Sequence, residues 1–166
     1  MKILVSDMGG VLYSFDVSFN PEIHQQRFDE AMRKLGKENL SIGEQLEGEW
    51  EAVNRGLLKI YPIKNGIDNV LRNLEEYKLV VVSTSLVKTS ELILDKIGLK
   101  DKAWKIYNMS DYGSKKDSES WKNIFKLLPG VDVIVEDGEK NLIAAHNAAS
   151  ELGLVSRTYT EVPQEL

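Results

Sequence analysis

Cysteine is absent from all 166 residues. The absence excludes a disulfide framework, a cysteine nucleophile and a cysteine zinc site. Long hydrophobic runs are also missing, and none approaches the roughly 18 apolar residues of a membrane span. The N-terminal run Ile3-Leu4-Val5 stops at Ser6 and Asp7, far short of a secretion signal. A soluble cytoplasmic protein with no membrane partner is therefore expected. Asn108-Met109-Ser110 matches the glycosylation sequon, which carries no weight without such a signal. Positive charge is in deficit. With 21 Lys and Arg against 26 Asp and Glu, the net charge is −5 and the basic residues are scattered. A nucleic-acid backbone binder is not expected. Internal repeats, low-complexity tracts, a P-loop, a strand-borne G-x-G-x-x-G and a histidine pair at zinc spacing are all lacking. What remains is an ordinary globular composition, 42% hydrophobic and 28% charged, at the length of one domain.

Short apolar runs alternate with helical patterns. Lys2 to Ser6 ends at Asp7, Gly9 and Gly10; Leu79 to Val82 ends at Ser83, Thr84 and Ser85; Val131 to Val135 ends at Glu136, Asp137 and Gly138. Ala103 to Met109 and Leu154 to Tyr159 are weaker strand candidates. Helices are expected over Ile67 to Tyr77 and Leu86 to Ile97. Two further stripes are Trp121-Ile124-Phe125-Leu128, capped by Asp117 or Ser118, and Leu142-Ala145-Ala149-Leu152. Strands alternating with helices imply a parallel sheet covered on both faces.

Residues 14–62 break this rhythm. Asn20-Pro21 opens one helix with the stripe Phe28-Ala31-Met32-Leu35. Ser41-x-x-Glu44 opens a second with Leu46-Trp50-Val53-Leu57. No strand separates them. A helical insert at 14–62 is expected, carried by a core of 1–13 and 63–166. Trp50 and Trp121 fall on apolar stripes and are expected in the core.

Ligands of open α/β sheets bind beyond the carboxyl ends of the strands. The groups expected there are Asp7, the Ser83-Thr84-Ser85 cluster and the pair Glu136-Asp137, with Lys116 in a polar loop before a helix. That set suits phosphoryl transfer. A carboxylate can attack phosphorus, a lysine and hydroxyls can hold phosphoryl oxygens, and an acidic pair can hold Mg²⁺.

These residues resemble the haloacid dehalogenase-like hydrolase superfamily. Asp7-Met8-Gly9-Gly10-Val11-Leu12 resembles its first motif, whose first Asp is the nucleophile. Leu79-Val80-Val81-Val82-Ser83 resembles the second motif. Lys116 resembles the third-motif lysine, preferred over Lys115 for its register before the helix. Val133-Ile134-Val135-Glu136-Asp137-Gly138, followed by Asn141, resembles the fourth. The resemblance spans residues 2–159 and implies a three-layer, Rossmann-like α/β core with a short helical cap. It implies a Mg²⁺-dependent phosphatase of a small phosphomonoester, working through an aspartyl-phosphate on Asp7. Ser83, Thr84 and Lys116 would bind phosphate. Asp7, the Gly9 carbonyl, Asp137 and Glu136 would hold the metal, and Asn141 would orient the acidic loop. The short cap leaves room for a homodimer partner to complete the site.

The chain departs from the family pattern at Gly9, where its phosphatases usually carry a second Asp that protonates the leaving group. Asp16, Glu49 and His24 are the candidate replacements in the insert, and residue type does not choose among them. Gly9 also motivates an alternative: a weakly active or inactive member that binds a phosphorylated ligand or a protein. A haloacid dehalogenase, whose departing halide needs no proton, is less well matched. Its site resembles a metal-free one with neutral residues where Glu136-Asp137 stand. A receiver domain fits worse still, because the acidic pair comes late in the chain.

Overall fold

The structure is a computed structural model that describes all 166 residues. Five parallel strands form the sheet: β1 (Lys2–Ser6), β4 (Tyr77–Ser83), β5 (Ala103–Asn108), β6 (Val133–Val135) and β7 (Arg157–Tyr159). Two further short strands, β2 (Tyr13–Ser14) and β3 (Tyr61–Pro62), pair antiparallel outside that sheet. The helices are α1 (Pro21–Lys34), α2 (Ile42–Asn54), α3 (Lys64–Asn73), α4 (Val87–Lys96), α5 (Ser118–Phe125) and α6 (Glu139–Glu151).

The strand order is β5-β4-β1-β6-β7. β1 is therefore central: the chain runs from it to β4 and β5 on one side and then crosses to β6 and β7 on the other. The crevice at its carboxyl end is the topological switch point of the sheet. Side chains alternate across the strands, as a sheet buried on both faces requires. Leu4, Leu79, Val81 and Val133 join one apolar cluster with Ile93 and Leu94 of α4 and Val70 of α3. Ile3, Val5, Val80, Val82 and Ile134 join the other with Trp121 and Phe125 of α5 and Ala145 and Ala149 of α6.

The expected α/β architecture is present, with α1 and α2 inserted between β2 and β3. Asn20 caps α1 by accepting from the Glu22 and Ile23 N–H groups, and Asp117 caps α5 through Glu119 N–H. Ala31 and Met32 of α1 and Ala52 and Val53 of α2 belong to the same apolar cluster as Leu4 and Val81. The insert thus packs as a continuation of the main core.

Four details differ from the sequence reading. Helix α3 stops at Asn73, and Tyr77, read as its end, begins β4 with its ring buried against the core. The strands read at 131–135 and 154–159 are shorter than expected. The β2–β3 ribbon has two residues on each side, too few to leave a period in the sequence. Trp50 is half-buried instead of core, with the Lys88 ammonium 4.5 Å over its ring. No helix is long and apolar enough to cross a membrane.

Candidate active site

Asp7 follows β1 directly and is buried, with its N–H held by the Val135 carbonyl at 2.9 Å. Its Oδ1 accepts from Met8 N–H at 2.7 Å and from the Lys115 ammonium at 2.6 Å. Oδ2 has no such partner within the chain. Fixing one carboxylate oxygen and leaving the other open is what an attacking carboxylate needs.

The lysine register corrects the sequence reading. Lys115, not Lys116, meets the carboxylates: its Nζ donates to Asp7 Oδ1 at 2.6 Å and to Glu136 Oε2 at 2.7 Å. Lys116 is exposed. The cause lies in the loop before α5. The Trp121 indole N–H, buried in that helix, donates to the Lys115 carbonyl at 2.7 Å and draws this residue inward. A turn closed by Asp117 N–H on the Ser114 carbonyl then directs the next side chain outward. An ammonium has three donors. Two are committed to Asp7 and Glu136, and the third is free for a phosphoryl oxygen.

The acidic loop after β6 completes the cluster. Glu136 is buried and spends both oxygens inside the protein. Oε2 takes the Lys115 ammonium, and Oε1 takes Gly138 N–H at 3.3 Å and Asn141 Nδ2 at 3.4 Å. Asp137 faces the cleft. Oxygens of Asp7, Glu136 and Asp137 lie within 4.8 Å of one another. Burial, reinforced by the charge of Asp7, pushes Glu136 up to about 8. The same two causes push Asp137 up to about 6. Burial pulls Lys115 down, but Asp7 and Glu136 outweigh it and hold the ammonium above its ordinary value. One ammonium thus faces three carboxyl groups. The site lacks positive charge, and the all-oxygen donor set suits a hard divalent cation.

Gly10 makes the approach of Asp137 feasible. Its φ of +79° suits glycine, and a Cβ there would stand 2.0 Å from Asp137 Oδ2. Gly10→Ala is expected to strain the turn by about 1–2 kcal/mol and to displace Asp137. Calorimetric titration with Mg²⁺ checks this: weaker binding is expected, and unchanged affinity would show that Asp137 contributes nothing to cation binding.

Opposite the acidic loop, Ser83 ends β4. Its Oγ accepts Ser85 N–H at 3.1 Å, which leaves its own hydroxyl hydrogen free to donate. Thr84 is exposed at the mouth, and α4 begins without a side-chain cap, so its first N–H groups are unclaimed. Asp7, Gly9, Ser83, Thr84, Lys115, Glu136, Asp137 and Asn141 all line one cleft of about 530 Å³. Of the residues expected to bind phosphate or metal, only Lys116 stands outside it.

The insert supplies the far wall, where the three candidate proton carriers separate. Asp16 does not line the cleft. Its Oδ2 accepts from Ser18 Oγ at 2.6 Å and Asn20 N–H at 3.0 Å, so it braces the entry to α1, and those bonds hold its carboxyl below the usual range. His24 and Glu49 do line the cleft, together with Ser85 of the expected hydroxyl cluster and Tyr13, which the sequence reading did not place there. Tyr13 lies too close to the first motif to stand out from the apolar residues around it.

A family model described as haloacid dehalogenase-like hydrolase matches residues 18–155. No curated protein matches the chain. Among solved structures, the Unknown transcript 4 protein from Saccharomyces cerevisiae is similar at 15% identity and a TM-score of 0.62, over 96% of this chain and 97% of that one. An enzyme of the same family from Bacteroides thetaiotaomicron, in complex with magnesium and inorganic phosphate, is similar at 19% identity and a TM-score of 0.59, over 95% and 93%. The L-2-haloacid dehalogenase from Xanthobacter autotrophicus is similar at 15% identity and a TM-score of 0.60, over 89% and 74%. At these identities the likeness is one of fold.

Proposed function

The chain belongs to the haloacid dehalogenase-like hydrolases, and from that membership we propose that it is a Mg²⁺-dependent phosphatase of a small phosphomonoester, with Asp7 as the nucleophile. One observation carries the reading. Asp7 presents a free Oδ2 to the cleft while Lys115 and Met8 N–H hold Oδ1, beside two further carboxyl groups. The Bacteroides relative crystallised with magnesium and phosphate supports the same chemistry.

Asp7 Oδ2 attacks phosphorus in line. The new O–P bond forms as the ester P–O bond breaks, and the electron pair leaves with the ester oxygen. Lys115 and the Ser83 hydroxyl hold the transferring oxygens, helped by Thr84 and the uncapped start of α4. Water then attacks phosphorus of the aspartyl-phosphate, and the Asp7 carboxylate is restored as phosphate leaves. Asp7, Asp137 and the Gly9 carbonyl would hold Mg²⁺, which would neutralise charge between the carboxylate and the phosphate dianion. Glu136, with both oxygens engaged, serves better to position Lys115 and the acidic loop than to bind the cation itself.

A dehalogenase fits this cluster poorly. A monoanionic haloacid gains little from two further carboxyl groups beside its nucleophile. A second reading, a weakly active or inactive protein that binds a phosphorylated ligand, is favoured by Gly9 alone. The two separate in Gly9→Asp. A Cβ at Gly9 would meet nothing closer than 3.8 Å, so the substitution fits. If the rest of the site is competent, hydrolysis of alkyl phosphates is expected to rise by about 10²–10⁴-fold, the usual worth of a general acid and base. No gain, in a variant that still binds Mg²⁺, would favour the binding role.

A further inference from the structure

The space in front of Gly9 is bounded by two side chains. From the position of a Gly9 Cβ, the Tyr13 hydroxyl is 3.8 Å away and His24 Cε1 and Nε2 are 3.9 Å away. His24 projects from α1, and its ring stacks on Phe15 at 4.4 Å and 10°. His24 Nδ1 accepts the Phe15 backbone N–H at 2.8 Å, and Ser14 Oγ lies 3.3 Å from the same nitrogen. A ring nitrogen that accepts a backbone N–H carries no proton of its own. The proton is therefore on Nε2, the nitrogen that faces Gly9 and the cleft.

This fixes what His24 can do. An imidazolium would set an Nδ1 hydrogen against the Phe15 N–H, two donors head to head. Loss of the Nε2 proton would leave an imidazolate, which is not accessible near neutral pH. His24 is thus a neutral hydrogen-bond donor and not an acid. Burial pulls its pKa down in the same sense, against the charges of Asp7 and Asp16. The Tyr13 hydroxyl also stays protonated, because burial and the charges of Glu49 and Asp7 push it well up.

The remaining carboxyl on this wall is Glu49 of α2, buried, with Oε1 unpartnered. Burial raises its pKa and Ser85 lowers it. The three atoms nearest a Gly9 Cβ belong to Tyr13 and His24, not to Glu49. The two side chains that bound the space in front of Gly9 are therefore neutral donors.

Resting on the phosphatase reading, we infer that His24 Nε2–H holds the departing ester oxygen without transferring its proton, and that the site therefore takes phosphate esters of acidic hydroxyls, such as aryl, enol or anomeric phosphates. The Asp7–phosphorus bond forms, the ester P–O bond breaks, and the leaving oxygen departs as an anion. It takes its proton from water afterwards. An alkoxide is too basic to leave in this way, whereas a phenolate or enolate is not. Phe19, Phe28 and Leu46 line the cleft on the insert side and give such a leaving group an apolar surface.

The test is kcat/KM of the full chain with Mg²⁺ across substituted phenyl phosphates and one alkyl phosphate. A steep fall with rising leaving-group pKa is expected, about 10²–10⁴-fold from the most acidic phenol to the alkyl ester, the share that an absent acid leaves out. His24→Ala should lower kcat/KM by about 10²–10³-fold for the poorest leaving groups and less for the best. A ring that only packs would lower all substrates alike, and that result would overturn the role given to His24. Nitrogen NMR of the wild-type protein reads the tautomer without any substitution: a proton on Nε2 alone is expected, and one on Nδ1 would overturn the inference. A flat profile that steepens in Glu49→Gln would assign an acid to Glu49 and overturn it too. A flat profile in an active enzyme sinks this inference alone. Failure to hydrolyse any ester with Mg²⁺ sinks the phosphatase reading and this one with it.

Discussion

Lys115→Met is expected to destabilise the protein by about 3–5 kcal/mol, because it strips the only cation from a buried pair of carboxylates. Asp7 Oδ1 and Glu136 Oε2 both take their shortest bonds from this ammonium, and all three side chains are almost fully enclosed. Methionine fills the space but leaves two carboxyl groups without compensation. For a chain of this size the cost corresponds to a fall in melting temperature of roughly 6–20 °C. Turnover should fall by a further 10²–10³-fold or so in the molecules that remain folded, through loss of the third ammonium donor. Added Mg²⁺ should raise the melting temperature of the variant more than that of the wild type, since the uncompensated cluster gains more from a cation. Lys116→Met is the internal control. Its side chain is exposed, so its effect should stay within about 0.5 kcal/mol. Calorimetry of the two variants checks the register of the lysine. Equal losses, or a larger loss at Lys116, would contradict it.

Asp7→Asn is expected to remove turnover, by about 10⁴-fold or more, and to keep the fold. An amide oxygen can still accept from Met8 N–H and Lys115 at the Oδ1 position, so the local hydrogen bonds survive. The amide nitrogen then stands where the attacking oxygen stood and has no lone pair to offer phosphorus. One negative charge also leaves a crowded cluster, which offsets the weaker bond to Lys115. The melting temperature should therefore stay within about 4 °C of the wild type. Phosphate release and thermal unfolding measured on the same sample check both halves. Retained turnover would reject Asp7 as the nucleophile.

Much of this site was legible because it hangs on strand ends. Asp7, Ser83 and Glu136-Asp137 each follow an apolar run that stops abruptly, and the parallel sheet brings those ends together whatever the details of the loops. The lysine was legible only as a pair. Lys115 and Lys116 have the same side chain and neighbouring positions in an irregular loop. What separates them is a tertiary bond, from the Trp121 indole N–H to the Lys115 carbonyl. A signal for it did exist: an indole N–H on a buried helix stripe needs an acceptor, and the residues before the helix are the nearest source. Glu136 was legible as an acid but not as a group with both oxygens taken. His24 was one of three candidates of equal standing. Asp16 leaves that set because its oxygen braces the turn to Asn20, and His24 takes on a definite protonation because Phe15 N–H pins Nδ1. Both facts are backbone contacts of a folded loop, invisible to residue type or spacing. Trp50 was misread because helix α2 turns Gly48, Glu49, Ala52 and Val53 inward and leaves the indole at the edge.

The most direct measurement is phosphate release from an aryl phosphate by the purified chain, with and without Mg²⁺, beside Asp7→Asn. An aryl ester is the right probe because its leaving group asks least of an acid that Gly9 does not supply. Release that depends on Mg²⁺ and vanishes in Asp7→Asn is the result expected. Release that ignores Mg²⁺, or that persists in the variant, would contradict the assignment of Asp7, Lys115 and the acidic loop as a phosphoryl-transfer site.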